Sequence, residues 1–304
     1  MTLSDADGRT IDKRRDHAKY VVKVGVYEDH DKTTTWIATA GWDGKVHLYR
    51  IDADSDEPKL GDPIATIALP TNPESFAFVR HPETSSPILI VTRRDSTFLY
   101  YHSVDTSARL LGKQNLAPHS NAWIAFTPSA IALCPTDSSL LAVATSAVPH
   151  MKLIIVKLML PSTNEENSTP ETTPAPPART SLLDEGRSHA AAQARTALAL
   201  QDRESAAILV HVSTLAPQTP YSTPTLAWRP DGTGVWVNSD DGVIRGIEAC
   251  SGKIVSTLRG GHELGSKVRC LCTCEVEVED GGKEEWLVSG GFDQKLIVWR
   301  PEKE

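Results

Sequence analysis

Four times along this chain a short apolar strand runs into a tight turn carrying aspartate and leaves it as a second apolar strand. The copies are Trp36 to Tyr49, Ile88 to Tyr101, Val235 to Ile247 and Trp286 to Trp299, with turn residues Asp43, Asp95, Asp241 and Asp293. Six residues after each turn aspartate stands a large apolar side chain: Tyr49, Tyr101, Ile247 or Trp299. A degenerate copy lies between Ala130 and Leu158, where residues 140–145 and 153–158 read as strands but the aspartate is missing. Aspartate-glycine turns between β-rich runs are hairpin signals, because glycine accepts positive φ without steric cost. Hairpins repeated about every 40–50 residues specify a propeller or a related array.

Further strands fit between the hairpins. Ile64–Leu69 and Ile254–Leu258 read as outer strands; Ser75–Val79, Ser129–Leu133, Thr225–Trp228 and Val268–Cys272 read as inner ones. Arg229-Pro230-Asp231-Gly232 forces a turn, since proline presets φ and glycine tolerates positive φ. The stretch from Pro161 to about Arg187 is rich in proline, threonine, serine and glutamate and lacks periodicity, so it reads as disordered. Ser188–Ser205 turns alanine- and leucine-rich and suits a short helix. The expected organisation is therefore an N-terminal strand or extension over residues 1–16, blades one to three over 17–160, an insertion over 161–205, and blades four and five over 206–304.

The last copy resembles the WD40 repeat. Gly261-His262, followed at the right interval by Ser289, Asp293 and Trp299, is similar to that family's unit from Gly-His to Trp-Asp. The resemblance implies an all-β, WD40-type β-propeller of four-stranded blades, about five of them recognisable. It also implies a hydrogen-bonded tetrad in which His262 links Asp293 to Ser289 and the Trp299 indole donates to Ser289. The first blade resembles the motif with His17, Thr39, Asp43 and Tyr49, but departs from it at Tyr49 and at Asp16, which replaces the glycine before histidine. A finer likeness to fungal LisH-type WD40 proteins rests on the block from Ala216 to Pro224, on Trp228 to Gly232, and on Val288 to Asp293.

Rings of the WD40 family most often have seven blades. Three explanations of the count of five stay open: a five-bladed ring, a sixth blade hidden in poorly matching strands, or a shortened version of a longer protein. The last hairpin ends at Trp299, so its outer strand must come from elsewhere, and Gly8–Arg15 is the expected donor. Without closure an exposed sheet edge would invite aggregation.

Several chemistries are argued against by residue type. His262, Ser289 and Asp293 resemble a hydrolase triad only on paper, because a nucleophilic serine must be exposed beside an oxyanion hole and Ser289 falls mid-strand. Cys270, Cys272 and Cys274 share one face of a strand, with no spacing that completes a zinc set, so no metal or other cofactor is expected. Lys13-Arg14-Arg15 reads as a solvated strand edge rather than a nuclear signal. Asn167-Ser168-Thr169 fits a glycosylation sequon without a secretory leader to support it, and Thr169-Pro170 and Thr173-Pro174 are candidate phosphorylation sites. No phosphate loop, dinucleotide fingerprint or His-Glu-x-x-His occurs. The net charge of −8 opposes broad binding to nucleic acid or anionic membrane. No apolar run approaches the about 20 residues that span a bilayer. Five cysteines without a secreted-domain spacing suggest a reducing, intracellular setting, cytoplasmic or nuclear.

These readings lead to a non-catalytic scaffold that docks other proteins or peptides, within a multi-protein complex or alone. By the resemblance, the residue before each turn aspartate faces the top surface, which nominates Trp42, Arg94, Asp240 and Phe292. Tyr20 and Arg269, at the starts of inner strands, join them. A propeller enzyme using the central channel and a nucleic-acid-associated propeller are the alternatives. The first needs convergent carboxylates or histidines on inner strands, and the second needs Arg80, Arg93, Arg94 and Arg269 on one face.

Overall fold

The computed structural model describes residues 1–4, 7–29, 34–52, 59–119, 126–161, 182–278 and 282–301. The chain opens with a hairpin of its own, β1 (Thr2–Ser4) and β2 (Thr10–Lys13). Five antiparallel blades follow, each a meander in chain order. Blade one is β3 (Val21–Glu28), β4 (Thr34–Gly41), β5 (Lys45–Asp52) and β6 (Ala65–Ala68). Blade two is β7 (Pro73–Arg80), β8 (Pro87–Arg93), β9 (Phe98–Ser103) and β10 (Leu110–Asn115). Blade three is β11 (Thr127–Leu133), β12 (Leu140–Ser146), β13 (His150–Lys157) and β14 (Ile208–Pro217). Blade four is β15 (Leu226–Trp228), β16 (Gly234–Val237), β17 (Ile244–Glu248) and β18 (Ile254–Leu258). Blade five has three strands among the described residues, β19 (Val268–Glu277), β20 (Lys283–Gly291) and β21 (Leu296–Trp299). The protein is thus an all-β, five-bladed propeller.

The middle strands show why the repeats read as continuous apolar runs. Successive residues of a strand point to opposite faces, and each inner blade is covered on both. Leu89 and Val91 of β8 pack with Ala38, Leu48 and Phe76 between blades one and two, whereas Ile88 and Ile90 pack with Leu141 and Ile154 between blades two and three. Ala142 and Leu153 then meet Trp228 and Val235, and Trp236 and Ile244 meet Val268 and Leu287.

Inner strands pack in the order β3, β7, β11, β15, β19, and no packing of that extent joins β19 back to β3. The two terminal blades accordingly show alternation. Val22, Val24 and Val26 of β3 are exposed while Lys23 and Tyr27 turn inward, and Cys270, Cys272 and Cys274 of β19 are exposed while Leu271 turns toward blade four.

Two expectations about organisation need correction. Gly8–Arg15 does not supply the outer strand of blade five. Residues 10–13 pair with residues 2–4, and Met1 and Leu3 pack on Ile37, Tyr49 and Leu60 of the blade-one side. Asp12 accepts the Leu60 N–H at 3.1 Å and Arg14 pairs with Asp16 and Asp62, so apolar burial and ion pairing both hold the hairpin there. The insertion lies inside blade three rather than after it, because β14 pairs with β13 and fills the outer position. The disorder expected from Pro161 onward falls largely on residues 162–181, outside the described residues. Leu182–Arg187 already belong to a 26-residue helix, α1 (Leu182–Ala207), that runs directly into β14. Its Glu204 carboxylate, 4% exposed, accepts the Asn115 N–H at 2.7 Å and ties the helix to β10. Among the described residues no helix is long and apolar enough to cross a membrane.

Candidate functional site

The turns between the second and third strands of each blade all open on one end of the molecule, and two buried networks set their geometry. In blade five, His262 Nδ1 lies 3.1 Å from both carboxylate oxygens of Asp293, and His262 Nε2 lies 2.8 Å from Ser289 Oγ. The Trp299 indole N–H donates to the same Ser289 oxygen at 2.8 Å. Asp293 also accepts the N–H groups of Glu263 and Lys295, so one carboxylate locks the turn to the loop beside it. Ser289 is fully buried and lacks the exposure a nucleophile needs.

Blade one repeats the arrangement with a substitution. His17 Nδ1 is 2.9 Å from Asp43 and Nε2 is 2.9 Å from Thr39 Oγ1. Tyr49, however, donates its hydroxyl to Asp16 at 2.8 Å. The Arg14 hydrogen bond and that of Tyr49 hold the Asp16 carboxyl below its ordinary range, against the effect of burial. Burial and then Asp16 push the Tyr49 phenol up.

Above these networks, the backbone N–H of Trp42, Arg94 and Phe292 donates to the carbonyls of Tyr20, Asn72 and Lys267, at 2.9 Å each. The three residues therefore occupy equivalent places, although the second-blade turn differs in that Asp95 itself takes positive φ (58°). Their side chains do different things. Trp42, 40% exposed, meets Tyr20, 76% exposed, edge-on at 5.7 Å. Phe292, 62% exposed, lies under the Arg269 guanidinium at 4.2 Å, which Thr223 also engages. Arg94 lies back on Glu74 at 2.7 Å. Asp240 is largely covered, held by Lys267 at 3.0 Å and by Ser222, so it braces blade four against blade five and offers little free surface.

Sequence reasoning did not single out Val148, Tyr221 and Leu264, which are also exposed at this end. Isolated apolar residues in loops carry no periodic signal. Lys23 was missed too. It reaches from β3 to Ser75 Oγ and the Ile131 carbonyl, linking three inner strands, and burial pushes its pKa down to about 8. A cavity of about 740 Å3 opens beside Tyr20 and Trp42 and reaches Asp16, His17, Thr39 and Tyr49. Of the remaining candidates, Arg14 is paired as described, while Asn167, Thr169 and Thr173 lie outside the described residues.

Residues 2–300 match the family model described as "UCP007778, beta-propeller domain". The chain belongs to this β-propeller family. No curated protein matches the sequence. Among solved structures, this family member is similar to the computationally designed Ika8 protein at 12% identity with a TM-score of 0.52, covering 97% of this chain and 63% of that one. It is also similar to a chain of an active polycomb repressive complex 2 in the basal state, at 13% identity with a TM-score of 0.56, covering 92% of this chain and 48% of that one. These likenesses show the shared fold. The propeller described here spans less than two-thirds of either solved chain.

Proposed function

We propose that this propeller is a non-catalytic, intracellular scaffold of WD40 type that docks a protein or peptide on its turn-bearing end. The WD40 reading is supported by the His262–Asp293–Ser289–Trp299 network, which has the connectivity the motif implies. The docking reading is carried by one observation. An exposed aromatic pair, Tyr20 with Trp42, and an exposed Phe292 under the half-buried Arg269 sit on blades one and five at equivalent turns, on a framework that fixes their backbone. Aromatic and arginine side chains dominate interface energetics because they bury large area at low conformational cost. Arg94 and Asp240 contribute less, since each is engaged within the protein.

The test compares partners recovered by the parent chain with those recovered by Trp42→Ala and Phe292→Ala. Each substitution is expected to weaken binding by at least roughly tenfold, the scale of an interface hot spot, and to leave the melting temperature within a degree or two. Retention of every partner by the double variant would remove the docking reading.

A further inference from the structure

We infer that blade one carries a site for a divalent transition metal of the zinc class, formed by His17, Asp43 and His47 and opening onto the cavity beside Trp42. One ligand atom from each of the three residues lies within 4.8 Å of the others. The internal comparison with blade five separates this cluster from the structural network. His47 pairs with Thr39 as Ile297 pairs with Ser289, so the blade-five network is complete with isoleucine where blade one has imidazole. The fold therefore does not need His47.

His47 is only 6% exposed, and its Nε2 has no hydrogen-bond partner. A buried polar atom left unpaired costs about 1–3 kcal/mol, so a ligand bond at this nitrogen would stabilise the fold. The His17 and His47 rings stand 4.5 Å apart, centre to centre.

The outer partners fit as well. A metal-bound imidazole needs its remote nitrogen held, and a ligating carboxylate needs its own hydrogen bonds. His17 Nε2 is held by Thr39 Oγ1 at 2.9 Å and His47 Nδ1 by Thr66 Oγ1 at 2.8 Å, while the Ala18 N–H donates to Asp43 at 3.0 Å. Two imidazoles and one carboxylate are a borderline donor set that suits zinc or cobalt better than calcium or magnesium. Ligand atoms bound to one ion at about 2.0–2.2 Å stand about 3.4 Å apart, so atoms already within 4.8 Å of one another close on it by side-chain rotation. Three protein ligands leave a fourth position for water, and His17 lines the cavity beside Trp42.

The experiment titrates the metal-stripped full chain with Co2+, followed by visible absorption, and with Zn2+, followed by calorimetry. Cys250, Cys270, Cys272 and Cys274 are replaced by serine throughout, so that exposed thiols do not compete. The expected result is one equivalent bound, with the low-symmetry cobalt spectrum of a four- or five-coordinate nitrogen–oxygen site and a raised melting temperature. His47→Ile, which installs the blade-five residue, is expected to weaken binding by at least roughly a hundredfold, the upper range for loss of an outer-shell partner and so a floor for a ligand. Its metal-free melting temperature and circular dichroism should match the parent. His47→Gln makes the same comparison if the isoleucine variant misfolds. No binding by the parent at millimolar metal, or equal binding by the His47 variants, overturns the inference. The docking test of Trp42 and Phe292 does not depend on either result.

Discussion

Tyr49 and Trp299 hold equivalent positions, six residues after a turn aspartate, and meet different neighbours. A side-chain carbon on Gly261 would fall 2.5 Å from the Trp299 ring, so the indole requires glycine before the network histidine. In blade one that place is taken by Asp16, and the smaller Tyr49 turns its hydroxyl onto it. Both departures from the motif are visible in the sequence, but that they compensate each other is visible only in three dimensions. His102 is another residue whose chemistry is decided by its surroundings. It is 6% exposed, donates from Nδ1 to the Ala108 carbonyl at 3.1 Å, and has no partner for Nε2. Burial lowers its pKa more than the carbonyl raises it. The unfolded chain therefore binds a proton near pH 6.5 that the folded chain refuses until lower pH, so this contribution is intact above about 6.5 and is lost as pH falls. His102→Gln should flatten the fall in melting temperature between pH 7.5 and 5.5. An unchanged slope would show that His102 titrates alike in both states, its ring being solvated when folded.

At the scale of elements, the hairpins were the most legible feature because both strands and the turn carry their own local chemistry. The networks beneath them allow a graded prediction. Ser289→Ala leaves His262 Nε2 and the Trp299 N–H unpaired, at a cost of about 2–4 kcal/mol. Thr39→Ala strands His17 Nε2 while Tyr49 keeps its bond to Asp16, at about 1–2 kcal/mol. Denaturant unfolding of the two variants would show the order, and equal losses would mean that Trp299 draws nothing from Ser289. Helix α1 was only partly legible. Its alanine-rich half has intrinsic helix propensity, whereas its first turns sit in a segment whose composition argued for disorder. Strand β14 fell within the span expected for blades four and five, because the insertion separates it from its partner β13 by 50 residues of sequence (157 to 208).

For the whole molecule, the ends of the blade series decide how the protein is covered. Removing residues 1–14 should uncover Ile37, Tyr49 and Leu60, lower stability by roughly 2–4 kcal/mol and raise binding of an apolar dye. An unchanged melting temperature would mean that the hairpin covers nothing of consequence. Sequence alone determined the class of fold, the turn positions of Trp42, Arg94 and Phe292, and the pairing of each network histidine with its turn aspartate. Those depend on neighbours a few residues apart and on a motif repeated along the chain. Tertiary structure alone decided that the N-terminal hairpin covers blade one, that the Arg94 and Asp240 side chains are engaged while the Trp42 and Phe292 rings stay exposed, and that His47 stands beside His17 with a nitrogen unpaired. Each of these is a matter of which faces meet, and strand periodicity records that a face is apolar without recording what lies against it.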